Sequence, residues 1–179
     1  MAEGIIKRKA TFCECGDHCF VNLTKWAVTM VSPQDASLLQ EHNWHLVAGS
    51  SEIQSYAASA KQGRLHRKII GSRSSELVDH ENHNGLDNRR PNLRVATPTT
   101  NQFNKRKQRG KCSKFKGVRL HSRTIAGEPY WRAAIGINGK ETILGHFRDE
   151  VSAAKMYDEA ATRLFGEFAA TNLSLGLLV

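Results

Sequence analysis

The stretch LVDHENHNGLDNRRPNLRVAT, residues 77 to 97, limits the fold more than any other part of the chain. Two short apolar runs, in LVDH and NLRVAT, flank the polar segment ENHNGLDNRRP. Asn and Asp side chains compete with backbone partners, and Gly tolerates left-handed dihedrals, so this segment predicts a turn-rich loop rather than a continued strand or helix. The flanking runs then read as two strands of a hairpin. Just beyond, Thr97 before Pro98 supplies an N-cap and a first helical position, opening a helix in TPTTNQFNKRKQ. The predicted order is strand, polar loop, strand, helix, spanning residues 73–108.

The remainder divides around this segment. Residues 1–72 carry the short alternating runs FVNL, AVTMV and SYAASA. They also hold a helix start in SPQDASLLQEH, with Ser32 as N-cap, Pro33 first in the helix and Asp35 facing its dipole. LHRKIIG reads as a second helix closed by Gly71. After a basic linker at 109–113, residues 114–172 offer three strands, KGVRLH, YWRAAIGI and TILGHF, with Asn138-Gly139 as a hairpin turn. A helix follows from Asp149 to a stop at Gly166, with Val151, Ala154, Tyr157, Ala161 and Leu164 on one face. Residues 173–179 form a tail, and no internal repeat is evident. The expected class is α+β: a small multi-unit chain ending in a three-stranded antiparallel sheet packed on one helix.

Charge narrows the partner. Twenty-six Lys and Arg against seventeen Asp and Glu give a net charge of +9 over 179 residues, which suits a polyanion such as nucleic acid. Lys105, Arg106, Lys107, Arg109, Lys111, Lys114, Lys116 and Arg119 fall in one run without an acid. A solvated linker is the bland reading of that run and phosphate contact the functional one. No apolar run approaches the roughly 18 residues of a membrane span, and the N-terminus lacks the form of a secretory signal. We therefore expect an intracellular, cytoplasmic protein with no membrane partner.

Within the hairpin, Asp79 and His80 adjoin at a strand end, so their side chains diverge and can take different tasks. Asn101 lies in the first turn of the next helix. Folding that helix back on the hairpin would bring its amide oxygen toward the Asp79 carboxylate. Two hard oxygen donors with open positions beside them suit Mg²⁺ or Mn²⁺, one ion per site, completed by a substrate phosphate.

VDH, NGLDNRRPNLR and TNQFN together resemble the ββα-metal motif of HNH nucleases, particularly homing endonucleases of phages and introns. The family's first histidine falls on His80, its middle asparagine on Asn92 and its third position on Asn101. That resemblance implies that Asp79 and Asn101 bind the metal, that His80 is the general base, and that Asn92 braces the loop and orients His80. It further implies hydrolysis of a DNA phosphodiester to 5′-phosphate and 3′-hydroxyl, with one active site per chain nicking one strand. Arg89, Arg90 and Arg94 become candidates for phosphate contacts, and Asn104, one turn beyond Asn101, is the reserve ligand. We expect double-stranded DNA as partner, a monomeric chain, and a bacterial or phage-infected cell as its setting. The rival reading is a non-catalytic DNA-binding regulator that retains the fold.

Residues 114–172 resemble the APETALA2/ethylene-response-factor DNA-binding domain, carried by KGVRLH, YWRAAIGINGK, ILGHF and SAAKMYDEAATRLFGEFAATNL. The resemblance implies a sheet laid in the major groove, with Lys116, Arg119, His121, Arg132 and Lys140 as DNA contacts. Strand alternation turns Trp131, Ala133 and Ile135 toward the helix and Arg132, Ala134 and Gly136 outward. Ala134 and Gly136 stand where that family carries charged readers, and Ile143 where it carries tryptophan, so its recognition sequence does not transfer.

CECGDHC puts Cys13, Cys15, His18 and Cys19 close enough to ligate one structural zinc, although more tightly spaced than paired knuckles. A reduced turn before the first strand is the other reading. His66, on a basic helical face with Arg64, Arg67 and Lys68, reads equally as a phosphate contact or as solvent-exposed.

Overall fold

A computed structural model describes residues 9–49, 55–105, 112–123 and 127–178. It is mixed α+β, with several small sheets and four helices among the described residues. Two compact units form, Met1–Thr97 and Pro98–Val179. The segment 73–108 thus gives its strands to the first unit and its helix to the second.

The first unit begins with β1 (Thr11–Phe12), β2 (Cys19–Asn22) and β3 (Val28–Val31), an antiparallel meander. Alternation turns Cys19 and Val21 of β2 and Thr29 and Val31 of β3 into the core. A 3₁₀ turn at Pro33–Asp35 leads into α1 (Ala36–Glu41). Ser32 precedes Pro33 as expected, but its hydroxyl accepts from the Arg90 backbone N–H instead of capping the turn. β4 (His45–Ala48), β5 (Ser55–Ser59) and β6 (Gly63–Arg64) make a second antiparallel sheet. α2 (Leu65–Ile70) follows and ends at Gly71 in the left-handed region, with the Ser72 N–H donating to the Arg67 carbonyl.

The hairpin consists of β7 (Leu77–His80) and β9 (Leu93–Ala96), paired antiparallel with Asp79 opposite Arg94 and His80 opposite Leu93. Its loop is not wholly irregular. The two residues of β8 (Asp87–Asn88) pair in parallel with β3, so the loop becomes the fourth strand of the first sheet. So short a strand carries no alternation pattern to find in sequence. Gly85 is obligatory at the approach, because a Cβ there would overlap the Ser55 carbonyl and the Tyr56 ring. One apolar core runs beneath these elements, built on Leu39, Trp44, Leu65, Ile69 and Leu93.

The second unit opens with α3 (Pro98–Phe103) and continues with β10 (Val118–Arg123), β11 (Pro129–Ile137) and β12 (Lys140–Phe147) as one antiparallel sheet. Asn138 and Gly139 both take positive φ at the β11–β12 turn, as the Asn-Gly pair predicts. α4 (Glu150–Phe165) is capped by Asp149, whose carboxylate accepts from the N–H groups of Val151 and Ser152. Its buried face carries Ala153, Ala154, Tyr157, Ala160, Ala161 and Phe165. Val151 and Leu164, expected on that face, are exposed instead; they stand in the first and last turns of the helix. Gly117, at positive φ, would otherwise drive a Cβ into the Tyr157 ring. Ala134, expected to point outward, is buried: the β11–β12 register shifts between Ala133 and Ala134, and the irregularity turns both inward. Among the described residues no helix is long and apolar enough to cross a membrane.

Candidate active site

Asp79 and His80 end β7, both buried. Arg94, directly across the hairpin, donates from Nε and Nη2 to Oδ2 of Asp79 at 3.1 and 2.9 Å. Nε2 of His80 lies 3.1 Å from Oδ1 of Asn88. The Asn88 amide group in turn donates to the Thr29 hydroxyl at 2.8 Å, and that hydroxyl donates to the Leu86 carbonyl at 2.9 Å. A backbone carbonyl can only accept, so the chain of donors runs one way. Oδ1 of Asn88 is left as an acceptor, and His80 must carry its proton on Nε2. The basic lone pair of the neutral ring therefore belongs to Nδ1.

Burial pushes His80 below the ordinary imidazole range, against the Asn88 hydrogen bond and the charges of Asp79 and Asp87, which pull upward. Its ring meets His66 edge-on at 4.9 Å, and Tyr56 lies 5.4 Å from His66 and 6.0 Å from His80 between ring centres. His66 is 3% exposed, which corrects the phosphate-contact and solvent-exposed readings alike. It shares a helical face with Leu65 and Ile69, and that apolar face prevails over the basic neighbours. Burial first, then electrostatic interaction with His80, Arg64 and Arg67, push His66 down to about 3. Its Nδ1 is buried with no hydrogen-bond partner among the described residues.

Asn92 secures the loop: its Oδ1 accepts from the Asn82 N–H at 3.0 Å and its Nδ2 donates to the Asp87 carbonyl at 2.7 Å. Asn82 and Asn84 add Asx turns through the N–H groups of Asn84 and Leu86. Arg89 grips Asp87 through two bonds of 2.7 Å. Burial alone would push the Asp87 carboxyl up, yet the hydrogen bonds and charge of Arg89 hold it below the usual carboxylate range. Arg90 holds the buried carboxylate of Asp35 in the same two-pronged way, at 2.9 and 2.8 Å. Each of the three hairpin arginines thus engages a carboxylate.

In the second unit Asn101 lies on α3, with Asn104 buried just after it and Lys105 exposed. Arg106 and Lys107 lie outside the described residues. Arg119 and Arg132, opposite each other on β10 and β11, both pair with Glu141. The rings of His121 and His146 lie 4.5 Å apart, and Lys140 is exposed at the strand turn. Lys116 instead turns inward: Nζ donates to the Phe103 carbonyl at 2.9 Å, and burial brings its pKa down to about 8 against the charge of Asp158.

Cys13, Cys15 and His18 bring their ligand atoms within 4.8 Å of one another. Cys19 stands apart, buried with its thiol toward the Val31 carbonyl.

Sequence comparison adds one finding to this geometry. The chain is 36% identical over 163 residues to an uncharacterized HNH endonuclease of Acanthamoeba polyphaga mimivirus, covering 88% of this chain and 75% of that protein. The chain belongs to the HNH endonuclease family. No family model matches it, and no solved structure does. In this HNH endonuclease family member, reading the sequence alone overlooked Asn88, Thr29, Tyr56 and the burial of His66. Asn88 and Thr29 are 59 residues apart in the chain, so no local pattern links them. His66 did carry a signal, the i, i+3 and i+4 spacing of apolar residues around it.

Proposed function

We propose that this protein is a metal-dependent DNA endonuclease of homing type that hydrolyses one strand of duplex DNA, leaving 5′-phosphate and 3′-hydroxyl ends. The observation that carries the reading is His80: buried, neutral at physiological pH, and held by Asn88 with its lone pair on Nδ1, one residue from the Asp79 carboxylate. A neutral imidazole with a fixed tautomer is what proton removal from an attacking water requires. On this reading His80 Nδ1 takes that proton, and Asn92 keeps the loop in shape.

A carboxylate and an amide oxygen are hard donors fitted to Mg²⁺ or Mn²⁺, so Asp79, with Asn101 by sequence resemblance, would hold the ion. Such an ion supplies charge stabilisation for the phosphate and the departing 3′ oxygen. Arg94 would steady the Asp79 carboxylate and, with Arg89 and Arg90, border the DNA backbone. The ββα-metal arrangement over 73–108 and the division into 1–72, 73–108 and 114–172 belong to this same reading.

We further read residues 114–172 as an APETALA2-like DNA-binding domain, supported by three antiparallel strands with one amphipathic helix on one face. Arg119, Arg132, His121 and Lys140 would meet DNA from this unit. Few outward base-reading side chains suggest affinity and orientation more than stringent sequence reading.

Supercoiled plasmid carrying the DNA that flanks the gene, incubated with Mg²⁺, Mn²⁺ or EDTA, tests the proposal. Metal-dependent nicking that His80→Ala abolishes is expected. Duplex binding without nicking in any metal would support the non-catalytic regulator instead.

A further inference from the structure

The turn between β1 and β2 carries chemistry that DNA hydrolysis does not use. We infer that Cys13, Cys15 and His18 form a structural site for one zinc ion. Two sulfur donors and one nitrogen donor converge there, their ligand atoms all within 4.8 Å. Sγ of Cys15 and Nδ1 of His18 are 3.5 Å apart. With Zn–S near 2.3 Å and Zn–N near 2.05 Å, the S–N edge of a tetrahedron is about 3.6 Å, so this pair already stands at coordination spacing.

The backbone holds the donors in place. The Cys13 N–H donates to the His18 carbonyl and the Gly16 N–H to the Cys13 carbonyl, both at 3.0 Å, and Gly16 takes the left-handed conformation that closes the turn. Packing does not account for these side chains. Cys15 is exposed and Cys13 and His18 only half-buried, whereas Cys19 occupies the core. Sulfur and nitrogen donors select zinc over Mg²⁺, just as the oxygen donors assigned to the nuclease site select the reverse. With three protein donors, the fourth position of a tetrahedral ion would fall to water.

The location gives the ion a structural task. Cys19 pairs with Val31, and Val31 with Asn88, so a single row of residues crosses the sheet from this turn to the asparagine that holds His80. An ion clamping the turn stiffens that end of the sheet.

The test uses the full-length chain, expressed with zinc, purified under reducing conditions and exchanged free of loose metal. Mass spectrometry should find about one zinc per chain. Co²⁺ in its place should give tetrahedral visible bands and a thiolate-to-metal charge-transfer band. Cys15→Ser and His18→Ala should lose both the zinc and that band, while Cys112→Ser keeps them. Asp79→Asn should keep them too, so the result stands whether or not the chain cuts DNA. Bound zinc should also protect Cys13 and Cys15 from maleimide and raise the thermal midpoint, whereas Mg²⁺ should leave both thiols reactive. Absence of the charge-transfer band on Co²⁺ titration of the reduced chain, or zinc content unchanged in Cys15→Ser, overturns the assignment.

Discussion

His80 Nε2 and Asn88 Oδ1 meet at 3.1 Å across a loop of the hairpin, and the contact determines which nitrogen of the imidazole is basic. Thr29 and the Leu86 carbonyl orient Asn88, so the tautomer is set from the interior, by a chain running through the fully buried Thr29 and Asn88. Asn88→Ala should therefore lower kcat about 10- to 100-fold, the usual cost of losing an orienting partner, with KM for DNA little changed. ¹⁵N NMR of the imidazole should find Nε2 protonated in the parent and mixed tautomers in the variant. A variant that keeps both full activity and a single tautomer would remove Asn88 from the mechanism.

Removing His80, the proposed base, should cost more. His80→Ala is expected to slow nicking by about 10²- to 10⁴-fold. Because burial holds His80 below the ordinary imidazole value, its neutral form should persist to unusually low pH. The acid limb of kcat/KM should then fall below about pH 6.5, the value of a free imidazole, rather than at it.

His66 predicts a stability profile. Its folded value of about 3 lies below the unfolded one, so the unfolded chain binds the proton more readily. Its contribution is complete above about pH 6.5 and is lost as pH falls toward 3, at about 1.4 kcal/mol per pH unit. Denaturant unfolding between pH 7 and 4 should show this slope, and His66→Phe should flatten it. An equally steep profile in the variant would assign the acid sensitivity elsewhere.

Gly85 and Gly117 test close packing in the two units. Gly85→Ala would push a methyl group into Ser55 and Tyr56, and Gly117→Ala into Tyr157. Each should cost about 1–3 kcal/mol in chemical denaturation, as overpacking does. Gly85→Ala should also disturb the loop that carries Asn88.

Glu141 holds Arg119 and Arg132 together on the sheet. Glu141→Gln should release both guanidinium groups and tighten duplex binding at low salt. The slope of log K against log salt should steepen by about 0.9 for each further phosphate that the freed arginines neutralise. An unchanged slope would argue that this face does not meet DNA.

The sequence by itself determined the elements whose causes are local. Asn and Asp turn chemistry marked the loop between β7 and β9, Gly71 ended α2, Asn138-Gly139 formed the turn after β11, and Asp149 capped α4. The adjacency of Asp79 and His80 at a strand end was legible for the same reason, since strand alternation acts between neighbours. Only the tertiary structure decided which residues surround them. The pairing of β8 with β3 brings Asn88 to Thr29, and the packing of α2 brings His66 against His80. The irregularity in β11 likewise buries Ala134 against simple alternation. Such contacts join residues far apart in the chain, and their energies come from burial and complementary hydrogen bonding, which a local pattern does not encode.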